Sequence, residues 1–192
     1  MVIGSRDAER EAALDVARMM LTAARTAPKA VGVDSIVTAI ITGDEKEGLA
    51  DAMVEIGKER GGSRERHMRR DAANVRDSEL VVLIGVKGTP PPRTFDCGAC
   101  GFGSCAEFLS SRRRRKDFVG PSCVFKLLDL GIALGSAAKM ASMLNVDSRM
   151  MYSVGVAASR LKVIEGDVII GIPISISGKS IFFDRAKQPK SP

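Results

Sequence analysis

The chain has 192 residues, 45% of them hydrophobic, which suits one compact domain with at most a small insert and excludes a disordered polymer. It carries 29 Lys and Arg against 23 Asp and Glu, a formal net charge of +6, and contains no Trp and one Tyr. No apolar stretch approaches the ~20 residues that a membrane span requires. Arg6, Asp7, Glu9, Arg10 and Glu11 interrupt the N-terminus too early for a secretory leader, so a soluble, cytoplasmic protein without a membrane partner is expected. In that compartment four cysteines point to metal binding or catalysis before structural disulfides.

Residues 6–26 repeat Ala13, Ala17, Met20, Leu21 and Ala24 at helical spacing, and Pro28 ends that helix. Ile36 to Ile41 reads as a buried strand closed by Gly43. Asp44 is a candidate cap for a helix over 45–60, and Gly61-Gly62 breaks it before a second helix from Ser63 to about Val75. Glu79 to Val86 is a second buried strand, and Pro90, Pro91 and Pro92 stiffen its exit. After a cysteine segment over 95–123, a long helix is predicted over 123–144. Asp147 or Ser148 then caps a further helix to about Arg160. Val168 to Ser177 and Ser180 to Asp184 are predicted to close the chain as a hairpin turning at Gly178-Lys179, with Lys187 to Pro192 a frayed tail. Mixed helices and buried strands define an α+β class.

All four cysteines fall between positions 97 and 123, spaced C-x2-C-x4-C-x17-C. A cubane iron–sulfur cluster needs four thiolates at tetrahedral corners; a tight loop can supply Cys97, Cys100 and Cys105, and a distant Cys123 the fourth. Gly98, Gly101 and Gly103 permit positive φ and close backbone approach, so that amide N–H groups can face cluster sulfides. The alternatives are a zinc site, which usually uses two close cysteine pairs where this chain has one, and reduced core cysteines. Arg112 to Lys116, five consecutive cations, suits tuning of an anionic cluster or docking of an acidic partner, set against an ordinary solvated face. The five arginines between Arg64 and Arg76 read as a solvated helix face, and His67, the only histidine, as a surface residue. Met19, Met20, Met140, Met143, Met150 and Met151 read as core, and Tyr152 as a buried donor to an ordinary partner. No catalytic residue can be nominated. Without aromatic residues among the cations, a stacking platform for nucleic acid is disfavoured.

The run from Asp96 to Phe108, with Cys97-Gly98-Ala99-Cys100-Gly101-Phe102-Gly103-Ser104-Cys105-Ala106-Glu107-Phe108, resembles the four-cysteine cluster module of the electron-transport complex B subunit and the corrinoid iron–sulfur protein. It departs where that family often has Cys-Pro, because Val124 follows Cys123. The flanks resemble the nitroreductase fold: Ala23 to Lys29 is similar to its AxxAPS segment, Asp129 to Leu144 to its central helix, and Gly171-Ile172-Pro173 to its late IGYP strand. Together the chain resembles the ferredoxin-domain-containing proteins. This resemblance implies a nitroreductase-like α/β/α sandwich over 1–90 and 124–192 with a cluster insert over 91–123. It implies a [4Fe–4S] cluster, FMN with Pro28 and Lys29 beside it, and a homodimer. A Lys at that place could meet a phosphate or the flavin N1–C2 edge. The expected function is one-electron transfer to or from a flavin, a small-molecule acceptor or a redox partner protein. The alternative is a zinc-stapled basic module that binds nucleic acid or an acidic protein.

Overall fold

The computed structural model describes residues 1–92 and 94–183. Helix α1 (Ser5–Thr26) leads through a 3-10 turn (Ala30–Gly32) into strand β1 (Ile36–Ile41). Helices α2 (Gly43–Arg60) and α3 (Gly62–Asp77) follow, then β2 (Leu80–Val86). The cysteine segment contains a short helix α4 (Cys105–Ser110) and a hairpin of β3 (Arg114–Arg115) and β4 (Val119–Gly120). The chain closes with α5 (Val124–Met143), β5 (Asp147–Ser148), α6 (Tyr152–Leu161) and β6 (Val168–Ser175).

The main sheet is antiparallel in the order β1-β2-β6-β5. Strand β2 sits inside it and is buried along its whole length. Its pleat sends Leu80, Val82, Ile84 and Val86 into one core and Val81 and Leu83 into another. The first core is roofed by α1 and α5 through Ala17, Met20, Ala24, Leu130 and Ala133. The second is roofed by α2, α3 and α6 through Leu49, Met53, Ala72 and Val154. This three-layer arrangement explains why ELVVLIGV is a continuous apolar run and not an alternating one. A buried Lys46 joins α2 to the end of α3, its Nζ donating to the carbonyls of Arg76 at 2.8 Å and Ser78 at 2.5 Å.

Four local expectations change. Thr42, not Asp44, occupies the N-cap position of α2; Gly43, at φ +56°, turns the chain out of β1 one residue earlier, and Asp44 stands in the first turn, favourable against the helix dipole. Asp147 and Ser148 do not cap a helix. They form β5, pairing with Ser175 and Ile174, and α6 begins only at Tyr152. That pairing, with the Met151–Gly171 bridge, takes the second edge of β6, so no partner position remains for a returning hairpin. Ile181 to Phe183 accordingly form a turn; Asp184 and the predicted tail at 187–192 lie outside the described residues. Lastly, the methionines divide: Met20 and Met151 are buried, whereas Met19, Met143 and Met150 are exposed.

Helix α6 lies unusually close to β6. A Cβ built on Gly155 would stand 1.8 Å from the Ile169 carbonyl oxygen, and one on Gly171 would stand 2.1 Å from Val154 Cγ1. Both contacts involve atoms fixed in the core. Gly155→Ala is therefore expected to destabilise the protein by about 1–3 kcal/mol or more through overpacking. Gly48→Ala, in α2 with open space around it, should stabilise by about 0.5–1 kcal/mol. Chemical denaturation of both variants checks the contrast, and equal effects would contradict it.

Candidate metal centre and cationic cleft

Asp167, just before β6, ties the cysteine segment to the sheet. Its N–H donates to the Val86 carbonyl at 2.8 Å, which continues the β2–β6 ladder. Its own carbonyl accepts from Val119 N–H of the hairpin at 2.9 Å. Its carboxylate accepts from Gly88 N–H at 2.6 Å and meets Arg113 at 2.9 Å. Gly88 in turn accepts from Cys123 N–H at 2.7 Å. There the chain passes so near that a Cβ on Gly88 would stand 2.5 Å from Ser122 Oγ.

Within the segment the glycines behave as their spacing requires: Gly98 has φ +66° and Gly101 φ +89°. Ser104 caps α4, accepting from Glu107 N–H at 3.1 Å, while Glu107 accepts from Gly103 N–H at 2.8 Å. That is close to a capping box, displaced by one residue on the return bond. Cys105 N–H donates to the Asp96 carboxylate. Phe108 is buried against Phe102, with ring centroids 5.3 Å apart, so the loop carries a small core of its own.

All four thiols are free: Cys97 is exposed, Cys100 and Cys105 half-buried, and Cys123 buried at the threshold of α5. Cys97, Cys105 and Cys123 line one small apolar cavity of about 10 Å³ with Pro90, Pro91 and Phe125, room for about one water. Cys100 stands off that cavity. Among the described residues, no three Cys, His, Asp or Glu side chains are set as a metal-ligand group. The donor set suits iron or zinc, and holding a cluster requires the 97–105 loop to bring Cys100 inward and widen the cavity.

Below the cavity, α5 is locked to the 30–33 turn by a buried ion pair. Lys126 Nζ meets Asp129 at 3.0 Å and donates to Val33 O at 2.7 Å; Asp129 also accepts from Ala30 N–H at 2.8 Å. The adjoining Pro28 is exposed. Lys29 Nζ donates to the carbonyls of Ala24 at 2.8 Å and Arg25 at 2.5 Å, closing the C-terminus of α1. Its pKa is lowered, first by burial and also by Arg25, against the opposing pull of Asp34 and Asp129. Both Lys29 hydrogen bonds point into α1.

On the opposite side of the sheet lies a second feature, a cleft of about 1110 Å³ between α3, the β3–β4 hairpin and α6. Arg64, His67 and Arg70 line it, so the predicted solvated face of α3 in part faces a cavity. Arg115 and Lys116 reach it from the basic run. Tyr152, half-exposed, donates to Asp117, which also pairs with Arg60. Burial first, then the hydrogen bond and charge of Asp117, push the Tyr152 pKa up, against Arg60. Phe118 stacks edge-on to Tyr152, with centroids 5.4 Å apart. The signal missed in the sequence was the convergence of cations from separate elements.

Residues 119–185 match the family model described as "Uncharacterized protein containing a ferredoxin domain (DUF2148)", a span that includes Cys123 and ends the cysteine segment. A protein from Archaeoglobus fulgidus, described as an uncharacterized protein, is 45% identical over 190 residues, covering 98% of this chain and 100% of its own length. Among solved structures, a nitroreductase with bound FMN from Desulfitobacterium hafniense has a TM-score of 0.54 at 14% identity, over 93% of this chain and 82% of that one. A BluB-like flavoprotein from Clostridium difficile gives 0.54 at 16%, over 100% and 87%. An NADPH:FMN oxidoreductase from Vibrio harveyi gives 0.52 at 10%, over 86% of this chain and 60% of that one. The fold is nitroreductase-like. No helix among the described residues is long and apolar enough to cross a membrane.

Asp167→Ala removes the carboxylate that joins Gly88 to Arg113 and leaves the Gly88 N–H unpaired. A loss of about 1–3 kcal/mol is expected, with faster proteolysis confined to 94–122. Denaturation and mapped limited digestion check it; unchanged cleavage in that segment would show that the tie is dispensable.

Proposed function

The chain belongs to the family of uncharacterized proteins containing a ferredoxin domain, and from that premise we propose that it is a redox protein. In this proposal 91–123 is a cluster-bearing insert, and Cys97, Cys100, Cys105 and Cys123 hold one [4Fe–4S] cluster. The observation that carries it is the meeting of Cys97, Cys105 and Cys123 on one apolar cavity, from loop, short helix and long-helix threshold. When bound, the cluster supplies one-electron transfer.

The chain's own residues set the conditions. Pro90, Pro91 and Phe125 give the thiol cavity apolar walls, and Phe95 packs on Phe125 with centroids 4.9 Å apart. A shielded cavity disfavours charge, and none of Arg112 to Lys116 lines it: Arg113 pairs with Asp167, while Arg115 and Lys116 face the cleft. A flavin remains the proposed organic electron partner, on the likeness of the fold to flavoproteins. In this proposal Pro28 and Lys29 stand beside it, and no step is assigned to that cofactor.

Anaerobically prepared protein should be brown and contain iron and sulfide in equal amounts. Cys105→Ser should lose the cluster, since it removes a corner from the folded loop. Zinc without iron, or full iron in Cys105→Ser, would overturn the ligand set.

The proposed macromolecular partner is a second copy of the chain. Leu128, Ile132 and Met143 stand exposed along α5, an apolar helix face uncovered in the single chain. Sedimentation should give a dimer, and Ile132→Glu should shift it to monomer while retaining the fold by circular dichroism. A wild-type monomer at micromolar concentration would remove the dimer from the proposal.

A further inference from the structure

We propose that the cleft between α3, the β3–β4 hairpin and α6 binds a small organic ligand through a diphosphate group. At about 1110 Å³ it is slightly larger than the roughly 300–1,000 Å³ usual for ligand pockets. Its lining is strongly cationic: Arg60, Arg64, Arg70, Arg115, Lys116, Arg149, Arg160 and Lys162 against the carboxylates of Asp71 and Asp117.

What separates this from a solvated basic surface is charge compensation. Arg60 is paired with Asp117, Arg70 with Asp71 at 2.6 Å, and Arg160 with Glu59 at 2.7 Å. Arg64, Lys116 and Lys162 have no ion pair among the described residues. Arg115 donates to neutral oxygens of Ser159, at 2.7 and 3.2 Å, and Arg149 to the Phe182 carbonyl at 3.4 Å. Five cations, from α3, the hairpin, the segment before α6 and the end of α6, therefore face one cavity without a carboxylate of their own among the described residues. Mutual repulsion in a recess is relieved by a bound polyanion. A phosphate monoester brings about two negative charges, less than this field can accept, whereas a diphosphate adds charge and spans more of the cations. Arg64, Arg115 and Arg149 can each fork onto phosphate oxygens.

The walls also offer apolar surface for an organic moiety, through Met68, Met150, Met151 and Val156. A second cavity of about 400 Å³ shares Arg115, Ser159 and Lys162 with the cleft and runs to Asp167, so the site extends toward the junction that holds the cysteine segment. A single-strand track is the poorer fit, because among the described residues Tyr152 and His67 are the only rings lining the cleft and Phe118 already covers an edge of Tyr152. The inference concerns binding alone and does not rest on the cluster.

Isothermal titration of the full, anaerobically prepared chain at low salt tests it. Pyrophosphate and ADP are the probes; inorganic phosphate, FMN, riboflavin and a short RNA are the comparators. Pyrophosphate and ADP should bind, with inorganic phosphate weaker by about tenfold. Lys116→Gln and Lys162→Gln should each weaken ADP by about threefold to tenfold, while Lys139→Gln, on exposed α5, should change nothing. No binding of either probe would overturn the proposal. So would ADP binding unaltered by both cleft variants. FMN tighter than ADP and matched by riboflavin would make the ring, not the phosphates, the determinant and also overturn it. Tighter RNA binding, lost in the same variants, would replace it with a nucleic-acid site.

Discussion

Asp167 is the residue on which the joint between scaffold and cysteine segment depends. Its backbone extends the β2–β6 ladder on one side and receives the hairpin on the other, while its carboxylate holds Gly88 and Arg113. A carboxylate that accepts from a backbone N–H and a guanidinium together is stronger than a neutral contact and is directional. It lets a chain excursion of some thirty residues leave the sheet at Gly88 and return at Cys123 within hydrogen-bond distance of its point of exit. Loop closure of that length is entropically costly, and closing both ends at one residue confines the cost to the loop itself.

That joint also gives the molecule its two-sidedness. The thiol cavity opens beside the α1–α5 layer, where Lys126 and Asp129 fix the 30–33 turn with no exposure to water. The hairpin swings the other way and packs Phe118 on Tyr152 of α6, in the opposite layer. The segment between the third and fourth cysteines thus touches both sides of the sheet. A cation run that would be a charged tail in isolation becomes divided: Arg113 is consumed by the joint, Arg115 docks α6, and Lys116 faces the cleft.

Local pattern made much of the scaffold legible. Strand β1 was bounded to the residue, and β2 to within one, because a β-branched or apolar run between Gly and polar residues has few other uses. The α2–α3 break followed from Gly61-Gly62, which here adopt φ +64° and +57°. What stayed hidden was pairing at a distance. Nothing near Asp147 announces that Ser175 will accept it as a strand neighbour, and once it does the expected C-terminal hairpin loses its place. Likewise the side chain of Lys29 folds back on α1, a choice made by two carbonyls that helix geometry leaves unsatisfied.

The cysteines and the cations show two limits of the same kind. Spacing nominates four thiols for one metal, and the fold brings Cys97, Cys105 and Cys123 to one cavity while Cys100 stands off it. It does not identify the cavity wall, whose Pro90, Pro91 and Phe125 come from a strand exit and a helix start. For charge the limit is sharper. A run of arginines is visible in sequence, but whether it is solvated, neutralised or left facing a recess depends on where carboxylates from other elements fall. Asp71, Asp117 and Glu59 neutralise three of the eight cations, and the remainder define the cleft by what they lack. Net charge of +6 was a property of the chain; its concentration beside the hairpin is a property of the fold, produced by the same anchoring at Asp167 that brings Cys123 to the thiol cavity.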